Sequence, residues 1–290
     1  MPQDKFSAVW VSHSSIGDYL KCPRAYFLNN VYKDPKTGHK IQLMSPPLAL
    51  GQVVHEVLES LSTLPVNERF KTPLTKRFDQ LWPKVSGQKG GFFDEETEHY
   101  YQERGRKMLR KVENNPGPLE RLAVKIQQDL PYYWLSENDN IILCGKIDWL
   151  EYLPEDDAVH IIDFKTGKKR EDDESLQLPI YHLLVTNVQK REVQRASYWY
   201  IESDDELTEK ELPDIQEAHI QVLRVVKKIK TARKLEHFKC PQGEAGCRHC
   251  KPLEKIVNQE AVLVGTSEYN QDIYVLPAGQ SEEDKEAVIL

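Results

Sequence analysis

The stretch 159–169, Val-His-Ile-Ile-Asp-Phe-Lys-Thr-Gly-Lys-Lys, constrains this chain more than any other. Its apolar start, Val159-His160-Ile161-Ile162, has the length and β-branching of a strand. Asp163 and Lys165 follow two residues apart, so a strand sends both side chains out from the same face. Thr166 and Gly167 then end it. Upstream, Gly145-Lys146-Ile147-Asp148-Trp149-Leu150 reads as a neighbouring strand, and Pro154-Glu155-Asp156-Asp157 as the hairpin loop between the two. Such a hairpin brings Asp148 beside Asp163. Two carboxylates and an ammonium at one end of a sheet can hold a divalent cation and polarise a water, which suits phosphodiester hydrolysis. On its own an Asp-x-Lys pair is more often a solvated ion pair at a sheet edge, so the reading depends on its surroundings.

With 290 residues the chain can bury a sizeable core, as one large domain with appendages or as two small ones. The formal net charge of −7 argues against a protein that coats nucleic acid through bulk charge, although a local basic groove would not show in the sum. No apolar run is long enough to span a membrane, and Met1-Pro2-Gln3-Asp4-Lys5 lacks the basic-then-apolar layout of a secretory signal. A cytoplasmic location is the expectation. In that setting the five cysteines are thiols or metal ligands rather than disulfides.

Along the chain, Ser14 and Ser15 open a helix with Asp18 in the capping position, followed by Tyr19, Cys22, Pro23, Tyr26 and Phe27. Residues 48–61 have helical apolar spacing at Leu50, Val54, Val57, Leu58 and Leu61, and Gly51, His55 and Glu59 share one face. A glycine one turn before a histidine lets another segment or a ligand approach closely. Residues 94–113 read as a charged helix whose basic residues near the C-terminus suit the helix dipole in any protein. From 122 to 165 the pattern is β, and three strands in succession imply an antiparallel meander. Residues 174–190 return to helical spacing, with Gln177 and Tyr181 one turn apart, and 195–201 form a further strand, which makes a parallel crossover. Residues 207–235 read as a long helix interrupted near Pro213. Val262-Leu263-Val264 and residues 272–276 can pair as a terminal hairpin, and the acidic tail from Gly279 is expected to fray. No phosphate-binding Gly-x4-Gly-Lys-Ser/Thr loop occurs, so no ATP-driven motor is encoded.

Taken together, Gly51-x3-His55-x2-Leu58-Glu59, then Gly145-x-Ile147-Asp148, then Ile162-Asp163-Phe164-Lys165-Thr166-Gly167, then Gln177-x3-Tyr181 resemble the PD-(D/E)XK nuclease superfamily, specifically its RecB-like branch. The resemblance extends through Cys22-Pro23-Arg24 and the C-terminal cysteines, over about residues 10 to 252. It implies an α/β fold: a mixed central sheet, antiparallel meander plus parallel crossover strand, flanked by helices in a restriction-endonuclease-like core. It also implies a metal-dependent deoxyribonuclease, an exonuclease acting on single-stranded DNA or ends, in repair or recombination or in CRISPR adaptation. By the same resemblance His55, Asp148, Asp163 and the Phe164 carbonyl bind magnesium or manganese. Lys165 orients the water or neutralises the phosphate, and Gln177 and Tyr181 position Lys165 or the substrate strand.

In that branch Cys22, Cys240, Cys247 and Cys250 hold an iron-sulfur cluster of the 4Fe-4S type, with zinc as the alternative metal for the same four thiolates. Cys144 is read as a small buried core residue. Two departures from the pattern stand out. Ile147 replaces the usual proline, and Ile256 stands where many relatives carry the last cysteine, so that Cys240 supplies the fourth ligand.

The corresponding division is an N-terminal helical segment over 1–47 and a nuclease core over 48–206 with a helical insertion at about 62–118. A basic helix and cysteine segment follow over 207–257, then a terminal hairpin and tail over 258–290. Lys168, Lys169 and Arg170, just past the strand, are expected to meet phosphates. Expected partners are DNA and a helicase or a CRISPR adaptation protein, with no membrane. The competing reading is a catalytically idle DNA-binding or scaffolding subunit of a helicase-nuclease complex, stabilised by zinc.

Overall fold

The computed structural model describes residues 4–277. In chain order the elements are β1 (Val9–Val11), α1 (His13–Lys21), α2 (Pro23–Tyr26), β2 (Lys40–Leu43), α3 (Pro46–Ser60), α4 (Leu74–Leu81), α5 (Glu95–Asn114), β3 (Tyr132–Ser136), β4 (Ile141–Cys144), β5 (Trp149–Leu153), β6 (Ala158–Lys165), α6 (Gln177–Val188), β7 (Glu192–Tyr200), β8 (Thr208–Lys210), α7 (Ile215–Lys234), α8 (Lys251–Val257), β9 (Val262–Thr266) and β10 (Gln271–Val275). The chain divides into two compact units. One comprises the described residues up to His13, Leu50–Trp82 and Gln102–Lys230. The other comprises Ser14–Ala49, Pro83–Tyr101 and the described residues from Thr231 onward. Among the described residues no helix is long and apolar enough to cross a membrane.

The first unit holds a four-stranded sheet in the order β5-β6-β7-β8 and a three-stranded sheet in the order β1-β4-β3. Every residue of β6 except Lys165 is buried, which explains its near-continuous apolar run. It pairs antiparallel with β5 and parallel with β7. α6 supplies the crossover and packs on β7 and β3. The sheets contain both parallel and antiparallel strands and are flanked by helices, as expected for this fold class.

Three local readings change. The strand expected over 145–150 begins only at Trp149, because Asp148 turns its side chain to accept the Phe164 N–H at 2.8 Å. The strands between 122 and 165 do not form one continuous meander. Buried β4 has β3 antiparallel on one edge and β1 parallel on the other, so it has no edge left for β5. The outer edge of β5 is taken instead by residues 122–124, through Val124 N–H to Leu150 O and Tyr152 N–H to Leu122 O, both 2.8 Å. The helix expected over 207–235 starts only at Ile215, after Pro213, and Thr208–Lys210 is an edge strand on β7. There Glu209 pairs with Arg195 across the two strands at 2.6 Å.

In the second unit β9 and β10 form the expected hairpin, and β10 also pairs parallel with β2. Asp272 is buried on this sheet and is held by His39 Nδ1 at 2.9 Å and by the Thr37 hydroxyl at 2.6 Å. The acidic tail from Gly279 lies outside the described residues.

Candidate active site

At the end of β6 the alternation of the strand sends Asp163 and Lys165 to the face where α6 begins. Gln177, the first residue of that helix, joins them. Its Nε2 donates to Asp163 Oδ1 at 2.6 Å and to the Tyr181 hydroxyl at 3.3 Å, while its Oε1 accepts from Lys165 Nζ. Lys165 Nζ lies 3.0 Å from Asp163 Oδ2, 3.2 Å from Glu171 Oε2, and over the ring of Tyr198. Burial works against the ammonium, but Asp163 and then Glu171 outweigh it, so Lys165 is held more firmly protonated than an ordinary lysine.

Asp163 behaves differently. Burial first, then the neighbouring Asp148 charge, raise its carboxyl to about 7 against the opposing pull of Lys165. Although Oδ2 is close to the Lys165 ammonium, it is buried and receives no aligned hydrogen bond. Burial raises the Tyr181 phenol well above its ordinary range, with Asp163 and Asp148 adding to the effect.

His55, from α3, stands with its Nδ1 3.4 Å from Asp148 Oδ2 and 3.6 Å from Glu59 Oε1. Burial alone lowers the basicity of this imidazole, yet the charge and hydrogen bond of Asp148, followed by those of Glu59, push it up to about 10. The ring of His55 also meets Phe164 edge-on, with centroids 6.0 Å apart. A side chain at Gly51, one turn earlier, would place its Cβ 3.2 Å from Thr166 Oγ1. The glycine therefore lets α3 pass close to the end of β6.

The ligand atoms of His55, Glu59 and Asp148 all lie within 4.8 Å of one another. Of the residues expected to ligate a cation, His55 and Asp148 are thus together and Phe164 touches both. Asp163 is engaged with Gln177 and Lys165, and Glu59 completes the compact group in its place. The donor set fits a hard divalent cation: carboxylate oxygens, one imidazole, and on Asp163 a buried oxygen that receives no aligned hydrogen bond. A cation held by His55, Glu59 and Asp148 would compete with the proton that these carboxylates favour on the imidazole. Sequence reading missed Glu171 and Tyr198 and gave Glu59 no role. Only Glu59 carried a signal, its spacing of four from His55 on one helix face. Of the basic residues past the strand, Arg170 is committed to Asp204, at 2.5 and 2.8 Å, and stacks on Tyr200.

Within the second unit the four Sγ atoms of Cys22, Cys240, Cys247 and Cys250 lie within 4.8 Å of one another, and all four residues are buried. Ala25, Leu28, Ile41, Leu253 and Ile256 surround them, so Ile256 serves here as apolar wall. Peptide N–H groups already point at sulfur, Cys247 N–H to Cys250 Sγ at 3.1 Å and Gln242 N–H to Cys240 Sγ at 3.4 Å. Burial raises the Cys22 thiol and carries Cys250 up to about 12. Burial would raise Cys247 too, but N–H groups from His249 and Cys250 outweigh it and hold that thiol near 7. Four thiols this close fit one thiophilic metal centre, whose charge would ionise all of them. Cys144 stands apart from the group, buried, with its thiol donating to the Val11 carbonyl at 3.3 Å.

No curated protein matches the chain. The family model of the PD-(D/E)XK nuclease superfamily matches residues 10–252, a span that contains every residue of both groups. On that match, and with the strand-borne Asp163-x-Lys165 and helix-borne His55 in place, the chain belongs to the PD-(D/E)XK nuclease superfamily, whose members are metal-dependent nucleases.

Proposed function

We propose that this chain is a metal-dependent deoxyribonuclease of the RecB-like branch, an exonuclease working on single-stranded DNA or DNA ends, with a four-thiolate iron-sulfur centre in its second unit. Repair, recombination and CRISPR adaptation are the settings that suit such an activity, with a helicase or an adaptation protein as partner. The observation that carries the reading is the Gln177-bridged Asp163–Lys165 pair at the end of β6, with the His55–Glu59–Asp148 group on the same unit.

His55, Asp148 and Asp163 would hold magnesium or manganese, with Glu59 as an additional oxygen donor. When bound, the cation lowers the pKa of water and offsets charge on the phosphate. Lys165 adds a fixed positive charge where the pentacovalent phosphorus gathers negative charge, and it is prevented from swinging away by Glu171, Gln177 and Asp163. Gln177 holds the Asp163 carboxylate and the Lys165 ammonium in one geometry, and Tyr181 limits where Gln177 can turn.

The test is incubation of purified protein with end-labelled single- and double-stranded DNA, with and without added manganese. Loss of label from the ends of the single strand in the manganese arm alone is the expected result. Equal degradation in both arms, or in Asp163→Ala protein, rules the assignment out.

A further inference from the structure

In the second unit an open cleft of about 530 Å³ is lined by Lys21, Arg248, His249 and Lys251, together with Gln242 and the thiol ligand Cys247. That volume is in the range of small-molecule sites. Lys21, Arg248 and Lys251 are exposed, and among the described residues no carboxylate lies within ion-pair reach of any of them. Asp18, three residues before Lys21 on the same helix, instead accepts from the side-chain amides of Asn29 and Asn30, at 3.1 and 3.0 Å. Arg248 turns its Nε to the ring of His249 at 3.3 Å rather than to an acid.

The same unit treats a fourth cation in the opposite way. Arg24 is saturated by the Glu254 carboxylate at 2.8 Å and by the carbonyls of Gly243 and Glu244. In a chain of net charge −7, three further cations gather round one cleft, and Asp18 is the acid whose charge reaches its lining, at His249, so the positive charges outnumber it and favour an anion from outside.

We infer that this cleft, with Lys21, Arg248 and Lys251 as its cations and Gln242 and His249 as hydrogen-bonding groups, is a binding site for the phosphodiester backbone of single-stranded nucleic acid. The inference rests on the nuclease reading for its biological sense, since such a site anchors a strand on the unit that does not carry the carboxylates. It is sequence-independent, because phosphates alone are read.

The test compares wild-type protein with the Lys21→Gln/Arg248→Gln/Lys251→Gln variant. Binding of a labelled single-stranded oligonucleotide is followed by fluorescence anisotropy over a range of salt concentrations, without added divalent cation. The expected result is affinity about tenfold or more weaker at moderate salt, with the slope of log affinity against log salt reduced by about 2, from roughly 0.7 per lost contact. A control with the exposed Lys33 and Lys36 changed to Gln keeps both values. In manganese, the triple variant should cleave with raised KM and unchanged kcat. Unaltered affinity and slope overturn the inference, and unaltered affinity with lost metal content reassigns the three cations to the thiolates. A wild-type protein that binds as expected yet never cleaves refutes the nuclease reading and leaves the cleft standing.

Discussion

Asp163, Lys165 and Gln177 are joined to one another by hydrogen bonds and an ion pair, Asp148 stands beside them on the Phe164 N–H and His55, and one buried oxygen of Asp163 receives no aligned hydrogen bond. The cysteines of the second unit come from residue 22 and from residues 240–250 and are walled by Ala25, Leu28, Leu253 and Ile256. One group is polar and keeps an oxygen free of any aligned hydrogen bond, as a site must if water and substrate are to enter it. The other is enclosed by aliphatic side chains, as a centre must be if its metal is to stay. A metal in the first would serve the reaction; one in the second would serve the fold. The difference says which substitutions should abolish turnover without loosening the protein, and which should do the reverse.

The largest effect should come from the thiol group. Cys22→Ser, or the equivalent change at Cys240, Cys247 or Cys250, is expected to lose the metal and lower Tm by at least about 10 °C. Metal analysis with calorimetry checks this, and any one of the four variants retaining full metal would dissolve the idea of a single centre. Cys144→Ser marks the other end of that scale, with metal content unchanged. Next comes Asp163→Asn, which keeps volume and an acceptor for Gln177 but removes a charge. Turnover should fall about 10²–10³-fold with Tm nearly unmoved. A large drop in Tm would mean that the carboxylate site is structural after all.

A smaller effect is expected of Glu171→Gln. Lys165 keeps Asp163 and Gln177 but loses one carboxylate that limits its range, so kcat should decrease about tenfold with little change in KM. Steady-state kinetics on a single-stranded substrate separates the two parameters.

The smallest and most specific effect concerns a buried carboxylate on the same sheet that is not part of either group. Glu151 bonds to His160 Nδ1 and to Arg121, each at 2.8 Å, and His160 reaches Ser197 with its other nitrogen, also at 2.8 Å. Burial would raise this carboxyl, but His160 and then Arg121 outweigh it and hold it below its ordinary value of 4.5. Since the folded pKa is the lower one, its stabilisation is fully present above about pH 4.5 and is lost as pH falls through the folded value. Denaturation midpoints between pH 7 and 3 should therefore decline more steeply for the wild type than for Glu151→Gln. Parallel curves would show that the pair contributes nothing to the acid response.

How much of this was legible beforehand follows from how local each feature is. The β6 strand, the α6 crossover and the Asp163, Lys165, Gln177 and Tyr181 positions depend on periodicities of two and four residues within one segment, which the sequence displays directly. That β4 and β5 belong to different sheets depends on β1, from residues 9–11, already occupying the edge of β4. Nothing near residue 145 encodes this. Glu171 lies in a connection with no period, and its role arises only because the loop returns it to Lys165. β8 is too short to leave an alternating signature and was absorbed into the helix that follows. The cysteine group was legible through its likeness to a family pattern, whereas its apolar wall at Ile256 is visible only in three dimensions.

The parallel pairing of β10 with β2 has a temporal consequence. Lys40–Leu43 and Gln271–Val275 are neighbours in space, but at about 5–20 residues per second a ribosome needs on the order of 10–50 s to make the chain between them. For most of that interval Cys22 has been made and its three companions, at 240, 247 and 250, have not. The second unit therefore completes itself late: Cys22 waits as a lone thiol until Cys250 is made, and the sheet that includes β2 closes only after that, when β10 arrives.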